Sequence, residues 1–237
     1  MILKYYKKGN CQAVFSDNKN QFVYKVPLSR TFDNRSTSIN LNPKFIYKYL
    51  LEESRYRKNL IRFNRSIKIL NRLENLSEKK LNQFFPNSTI ISAKKFPLIF
   101  DSKKYHYSGP IIKQEFVNQF FDNTTMLKSF DWTQMLNVQL ELWKYGVGIG
   151  APAETWGPKN WGKTNINAIK LVDTSHLTDN FNLVCEMIDT DIMEYRKRKL
   201  LSINKNNNLN DIEEYFKFMK SSLNLKNLNR QWGIYLN

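Results

Sequence analysis

The sequence predicts an α+β fold of two lobes, in which a five-stranded antiparallel sheet with one inserted helix precedes a mainly helical half. Three observations predict it: short apolar–polar runs at the start, a long segment of helical periodicity inside them, and helical patterns after residue 118. The length of 237 residues suits one domain of two lobes, and 41% hydrophobic residues can form a core.

The N-terminal strands are predicted from apolar–polar alternation bounded by turn residues. They form an antiparallel meander over residues 2–7, 12–16 and 21–27. Gly9-Asn10 and Asp17-Asn18 supply the turns, because glycine and asparagine tolerate the backbone conformations that hairpins require. The chain therefore begins with three neighbouring strands of one sheet.

A long helix is predicted from Pro43, which a first helical turn tolerates because the N–H it lacks has no partner there. Apolar residues then recur at helical spacing as far as Leu70, and the pattern allows one helix or two broken near Asn64. Two further strands surround a lysine-rich turn, over residues 89–100 and 111–117. The sheet thus has five strands with one helix inserted after the third.

The second half is predicted to be mainly helical, with a short strand near its middle. The helices cover residues 132–145, 183–200 and 209–223, and the strand covers residues 168–172. The first of these helices ends at a cluster of glycines. We expect the lobes to span residues 1–117 and 118–237.

Basic residues dominate the charge, with a net charge of +16. They cluster on the long helix, over residues 55–72, and in the block of residues 196–199. Such clusters are either solvated helix faces or docking surfaces for an anionic partner: nucleic acid, an acidic protein or an anionic membrane surface. No helix-turn-helix, zinc or RNA-recognition motif selects among these partners.

The sequence has no run of eighteen apolar residues, so no transmembrane helix is expected. Its first residues lack the apolar segment of a signal peptide. Cys11 and Cys185 are far apart, and their number and spacing favour reduced structural thiols. These features favour a cytoplasmic protein.

Residues 157–164, GPKNWGKT, fit two unrelated phosphate-binding patterns. They satisfy the P-loop pattern G-x-x-x-x-G-K-[ST], but a P-loop follows a buried strand and opens a helix. Here a short glycine-rich run precedes the segment and a strand-like run follows it. The second interpretation pairs Asn160 with Asp173, whose side chains offer the oxygen ligands that Mg²⁺ prefers.

Several short motifs share the order and spacing of one known family. They are Val23-Tyr24-Lys25-Val26 on the third strand, Glu53 on the inserted helix, Gln114-Glu115-Phe116-Val117 at the end of the fifth strand, and the pair Asn160 and Asp173. The first is similar to the V-A-I-K strand of protein kinases. Taken together, the motifs and the element order resemble the protein kinase-like superfamily.

The resemblance implies a two-lobed kinase-like fold that binds a purine nucleotide, ATP, with Mg²⁺. It also implies roles for individual residues: Lys25 and Glu53 would order the α- and β-phosphates, Val14 would cover the adenine, Glu115 and Val117 would meet it through their backbone, and Asn160 and Asp173 would hold the metal.

The sequence departs from the family at the catalytic base. The expected Asp falls at Thr155, with Glu154 beside it, so Glu154 or a water positioned by Thr155 is expected to assist the acceptor hydroxyl. The catalytic-loop-like segment, residues 151–177, contains Asp173-Thr174-Ser175 in place of Asp-Phe-Gly, the first turn keeps one glycine, Gly9, and no A-P-E element follows.

These departures favour the compact aminoglycoside-phosphotransferase-like or bacterial YrbL-type kinases over a regulated protein kinase. The expected function is that of a divergent nucleotide-binding phosphotransferase that moves the ATP γ-phosphate to a hydroxyl acceptor. A catalytically inactive pseudokinase that binds partners through its basic surface is one alternative. A basic nucleic-acid-binding protein is the other.

Overall fold

A computed structural model describes residues 3–8, 12–17, 21–29, 43–76, 82–100, 102–117, 119–122, 129–164, 166, 168–203 and 209–236. The fold is α+β, as predicted. The chain divides into two compact units. The first unit contains residues 1–71 and 87–116, and the second contains residues 72–86 and 117–237. Residues 72–86, placed in the first lobe from the sequence, thus belong to the second unit.

Five strands form the sheet of the first unit. They are β1 (Leu3–Lys8), β2 (Gln12–Ser16), β3 (Phe22–Pro27), β4 (Ser88–Phe100) and β5 (Lys103–Glu115). Their order is β1-β2-β3-β5-β4, and β1 and β4 close the sheet into a barrel. The five strands confirm the prediction, but the sheet is not fully antiparallel, since β1 pairs with β4 in parallel.

The length of β4 and β5 explains this closure. The lysine-rich stretch predicted as a turn belongs to β5, which starts at Lys103, so both strands have 13 residues. The register of β4 on β5 shifts between Ala93 and Phe96. Beyond this irregularity β4 reaches β1, where Leu98 lies opposite Leu3. A bulge that bends a strand is a common means of closing a small barrel.

One inserted helix, α1 (Pro43–Leu76), follows β3 and continues through Asn64 without a break. Most buried residues of α1, among those whose burial is described, recur every three or four positions: Tyr56, Asn59, Phe63, Ser66, Ile67, Leu70 and Leu73, with Ile69 buried as well. The apolar face inferred from the sequence is confirmed at Ile67 and Leu70, which are buried, but not at Leu60, which is 46% exposed, and Glu53 is exposed.

The second unit combines short helices with two small sheets. Its helices include α2 (Ser129–Lys144), α3 (Pro152–Thr155), α4 (Phe181–Met187), α5 (Thr190–Ile203), α6 (Leu209–Ser222) and α7 (Leu225–Gln231). Its strands are β6 (Gln119–Phe120), β7 (Gly148–Ile149), β8 (Trp161–Lys163), β9 (Ile169–Leu171) and β10 (Leu177–Thr178). β8 pairs with β6 and β9, and β7 pairs with β10. The mainly helical second half is therefore confirmed.

The two basic clusters are not uniform exposed surfaces. Arg72 donates hydrogen bonds to the carbonyl oxygens of Tyr145 and Gly146, each at 3.2 Å. Arg196 is buried, and Lys197 forms a salt bridge with Glu213. Part of each cluster therefore makes contacts within the second unit. None of the helices in the described ranges is long and apolar enough to cross a membrane.

Gly148 in β7 is expected to accept no side chain, because an added Cβ would overlap Val184 Cγ2 and lie 3.1 Å from Val184 Cγ1. Overpacking of this kind typically costs 1–3 kcal/mol, so Gly148→Ala should lower the free energy of unfolding by about 2 kcal/mol in urea titrations.

Val184→Ala provides the matched test, since it removes the methyl groups that an alanine at position 148 would meet. The double variant should lose less stability than the sum of the two single variants. Additive losses would show that the contact with Val184 does not limit position 148.

Candidate functional site

The candidate site lies in the second unit, within residues 151–177. α3 carries Glu154, and a turn leads from it to Asn160, which directly precedes β8. Asp173 follows β9, the partner of β8. The carbonyl oxygen of Asn160 accepts hydrogen bonds from the N–H groups of Val172 at 2.8 Å and Asp173 at 3.3 Å. The backbones of Asn160 and Asp173 are therefore in direct contact.

Asn160 adopts a left-handed backbone conformation with φ of 66°. Asparagine enters this region more readily than most residues other than glycine. Its amide Nδ2 donates a short hydrogen bond to Glu154 Oε1, and both side chains are buried. Trp161 Nε1 donates to the backbone oxygen of Glu154 at 2.9 Å. Glu154, Asn160 and Asp173 are thus brought together.

The carboxyl of Glu154 has an unusual environment, with 2% of the residue exposed. Burial, and then the negative charge of Asp173, raise the pKa of Glu154 from 4.5 to about 7, against the opposing effects of Lys159 and the Asn160 hydrogen bond. Its second oxygen, Oε2, is buried and has no hydrogen-bond partner within the described part of the chain. An unpartnered buried oxygen on a group that titrates near neutrality is typical of a functional site.

The Thr155 side chain faces backbone oxygens instead of the Glu154–Asn160 contact. Its hydroxyl donates to the backbone oxygen of Ala151 at 2.9 Å and lies 3.3 Å from that of Ile149. Its own backbone oxygen accepts from Gln139 Nε2 at 3.2 Å. Because the hydroxyl hydrogen is directed at these backbone oxygens, the contacts give no support to the catalytic role expected for Thr155.

Asp173 is half-buried, and its Oδ1 accepts a hydrogen bond from the Ser175 N–H at 2.9 Å. No group of three His, Cys, Asp or Glu side chains suited to a metal occurs among the described residues. The donor set is instead the carboxylate of Asp173 with the amide oxygen of Asn160. Hard oxygen donors of this kind fit Mg²⁺.

The P-loop interpretation of residues 157–164 is wrong, because Gly162 and Lys163 lie in β8 instead of preceding a helix. An added Cβ at Gly162 would stand 2.9 Å from the backbone oxygen of Gln119. The Lys163 ammonium forms a salt bridge with Asp131 at 3.2 Å. This lysine therefore pairs with a carboxylate of α2, and the glycine allows close strand pairing.

Two predicted nucleotide-binding residues of the first unit are neighbours. Val14 lies directly opposite Lys25 across β2 and β3, and Lys25 lies opposite Ile112 on β5. Because side chains alternate along a strand, Val14 and Lys25 share one face, while Phe15 and Tyr24 belong to the barrel core. Val14 and Lys25 are both buried, and only 4% of Lys25 is exposed.

Part of the predicted adenine-binding segment, residues 114–117, already forms hydrogen bonds within the first unit. The Glu115 N–H donates to Asn87 O at 2.9 Å and the Phe116 N–H to Gln21 O at 3.0 Å, so neither is available to a base. Glu115 Oε2 accepts from Asn87 Nδ2 at 2.8 Å. In the second unit, an added Cβ at Gly162 would lie 3.2 Å from Val117 Cγ2. Gly9 and Cys11 lie outside the described residues.

Arg196 is a site residue that the sequence interpretation missed, since it was assigned to an exposed basic block. It is buried on α5, and an added Cβ at Gly157 would lie 3.2 Å from its Nη2 atom. The sequence signal that could have indicated its burial is its helical spacing from Met193 and Leu200, which are buried on the same stripe of α5.

No known family model matches this sequence, and no curated protein matches it.

Glu154→Gln is expected to change the pH dependence of stability. Since the folded-state pKa of about 7 exceeds the ordinary 4.5, the protonated carboxyl stabilises the fold below pH 4.5, and that contribution is lost as the pH rises through 7. A shift of this size corresponds to about 3 kcal/mol. Glutamine is neutral throughout, so relative to the wild type the variant should gain up to about 3 kcal/mol between pH 4.5 and 8 in urea unfolding.

Glu186→Gln is the control for removal of one carboxylate, because Glu186 is exposed on α4. A stability difference between Glu154→Gln and the wild type that stays constant over this pH range would contradict the raised pKa.

Thr155→Asp is expected to destabilise the protein instead of restoring a catalytic base. At pH 8 the new carboxylate would face the backbone oxygens of Ala151 and Ile149, which need a donor. Thr155→Asn is the matched control, because its amide can donate to them. We expect the Asp variant to be less stable than the Asn variant by about 1–3 kcal/mol in urea unfolding. Equal stabilities would show that side chains at position 155 point away from these oxygens.

Proposed function

We propose that the protein is a divergent, two-lobed kinase-like phosphotransferase that binds ATP with Mg²⁺ and uses Glu154 as its general base. The observation that carries the proposal is the buried hydrogen bond from Asn160 to Glu154 beside Asp173. It joins a carboxylate to Asn160, whose backbone contacts Asp173, and these two residues resemble the metal-binding pair of that family. In this proposal Glu154, the residue before Thr155, supplies the carboxylate that position 155 lacks.

Glu154 suits the role of a base in its chemistry and in its contacts. A pKa of about 7 allows the carboxylate to accept a proton and release it again near neutral pH. Oε1 is held by Asn160, whereas Oε2 has no hydrogen-bond partner among the described residues. A substrate hydroxyl that donates to Oε2 would satisfy this buried acceptor.

Asn160 and Asp173 would hold Mg²⁺ through the amide oxygen and a carboxylate oxygen. When bound, ATP supplies the phosphoryl group and Mg²⁺ neutralises charge that develops on it. The Ser175 N–H fixes the Asp173 carboxylate, and the Asn160 backbone holds the start of the segment that carries it. Positive charge at this position would also favour the ionised form of Glu154.

Lys25 would bind the phosphates and Val14 would cover the base, as the family resemblance implies. Lys25 is buried, and an ammonium binds phosphate oxygens through both charge and hydrogen bonds. The pairing of Lys25 with Glu53 stays a prediction, and Glu53 would have to leave its exposed position to make it.

The proposed transfer step requires no reactant besides ATP and the acceptor hydroxyl. Glu154 Oε2 accepts the proton of the acceptor hydroxyl while the hydroxyl oxygen bonds to the γ-phosphorus. The bond between that phosphorus and the bridging oxygen of the β-phosphate breaks, and its electron pair stays with ADP. Glu154 then releases the proton to solvent, which restores the carboxylate.

A catalytically inactive nucleotide-binding module is the second candidate. It is favoured by Thr155, which stands at the family's base position with its hydroxyl directed to backbone oxygens. The third candidate, a nucleic-acid-binding protein, rests on the net charge of +16. Steeply salt-dependent binding to a generic duplex would support that candidate.

Glu154→Gln should separate ATP binding from transfer. At 100 times the dissociation constant, Mg-ATP should stabilise both the wild type and the variant by about 2.7 kcal/mol in thermal unfolding. ADP release, measured with water and a panel of small hydroxyl compounds as acceptors, should fall 10²–10⁴-fold in the variant. Glu186→Gln should match the wild type in both assays.

Each other outcome would lead to a different conclusion. Stabilisation by Mg-ATP without turnover in the wild type would support the inactive module. No stabilisation of the wild type, together with no effect of Asp173→Ala, would remove the nucleotide site altogether. Full turnover by Glu154→Gln would refute only the role of Glu154 as general base and would leave the proposed nucleotide site in place.

A further inference from the structure

A cavity of about 530 Å³ lies in the second unit, where the ends of four helices meet. It lies between the end of α4, the start of α5, the end of α6 and the start of α7, and Trp156, which follows α3, contributes to its lining. This volume is typical of small-molecule sites. The described residues that line it include none of those proposed to handle ATP or Mg²⁺, so its ligand would be additional to the nucleotide.

The floor of the cavity is apolar. It is formed by Trp156, Ile188, Met193 and Leu223, all of which are buried. The Trp156 indole N–H donates to the backbone oxygen of Met187, so the one polar atom of this side chain is already satisfied. Because aliphatic and thioether side chains carry no charge and bond weakly to polar groups, the floor favours the apolar part of a ligand.

Several polar groups at the helix ends around the cavity are already paired within the protein. Asn224 Oδ1 accepts a hydrogen bond from the Asn227 N–H at 3.0 Å, and Asn224 Nδ2 donates to the Ser221 backbone oxygen at 2.9 Å. Asp189 Oδ1 accepts from the Asp191 N–H at 2.8 Å. These groups therefore offer a ligand little hydrogen bonding beyond what the protein already makes.

Two lysines supply positive charge at the exposed edge of the cavity. Lys220, at the end of α6, and Lys226, in the first turn of α7, both line it, and both are exposed. Neither forms an ion pair with a residue in the described ranges. Asp189 brings one negative charge to the same lining, so positive charge is in excess. An anionic head group at this edge, joined to an apolar body on the floor, would be complementary to the lining.

We propose that this cavity binds a medium-chain alkyl carboxylate, whose chain packs on the apolar floor and whose carboxylate lies near Lys220 and Lys226. An alkyl chain suits the floor because Met193 and the aliphatic side chains beside it can adapt to a flexible ligand. Burial of the chain supplies most of the affinity, and the exposed lysines add a modest preference for an anion. The site thus requires both a chain and a charge.

Isothermal titration calorimetry of the full chain with hexanoate, octanoate, 1-octanol and acetate tests both requirements. Octanoate should bind up to about 15-fold tighter than hexanoate, because each CH₂ removed from water contributes about fourfold in affinity. It should bind about fivefold tighter than 1-octanol, which lacks the charge. The double variant Lys220→Gln with Lys226→Gln should lose this preference over 1-octanol. Lys217→Gln, at an exposed position of α6 outside the lining, should keep it.

The location is tested by ¹³C NMR of the methionine methyl groups, with Met193 and Met219 each assigned by the loss of its signal in a substitution to leucine. Octanoate should shift the Met193 signal. It should leave unchanged the signal of Met219, which is buried in the same core cluster but does not line the cavity.

Four results would overturn the proposal. They are absence of octanoate binding in the millimolar range, equal affinities for octanoate and acetate, an unshifted Met193 signal at saturation, and a preference over 1-octanol that survives in the double lysine variant. The exposed lysines can be replaced without disturbing the core, and neither assay needs ATP. Failure of this proposal is therefore distinguishable from failure of the proposed phosphotransfer.

Discussion

The buried hydrogen bond between Asn160 and Glu154 is the interaction on which the candidate site depends. A carboxyl buried this deeply is unfavourable without such a bond. The left-handed backbone of Asn160 lets one residue do two things: its side chain reaches Glu154, and its carbonyl oxygen accepts from Val172 and Asp173. The short helix α3, the turn and the end of β9 are therefore connected through a single residue.

The charges around this bond act in opposite directions. Burial and Asp173 favour the neutral form of Glu154, whereas Lys159 and the Asn160 hydrogen bond favour the ionised form. Such a balance leaves the pKa near neutrality, where a modest change in local charge can shift the protonation state substantially. A cation bound nearby would favour the ionised form of Glu154, and a bound anion would favour the neutral form.

The five barrel strands, β9 and the helices α1, α2 and α6 could be predicted from local patterns, whereas the single helix predicted over residues 183–200 is the two helices α4 and α5. The pairing of Val14 with Lys25 follows from the β2–β3 hairpin. Features that depend on contacts between distant parts of the chain could not be predicted from local patterns. The parallel contact of β1 with β4 requires the irregular register of β4, and the burial of Arg196 requires α5 to pack against the turn after α3. In α1, the predicted apolar positions include the buried Ile67 and Leu70 and also the exposed Leu60, so the pattern located the buried face only in part.

Glu154 and Thr155 are neighbours in α3 but have different hydrogen-bond partners. Successive residues of a helix point about 100° apart, so Glu154 and Thr155 cannot face the same partner. Thr155 faces the backbone oxygens of Ala151 and Ile149, whereas Glu154 faces Asn160. Glu154 meets Asn160 across the turn that joins them. Gly157, whose missing side chain leaves space beside Ala153 and Arg196, lies within that turn. The Glu154–Asn160 contact therefore depends on a turn in which one residue has no side chain.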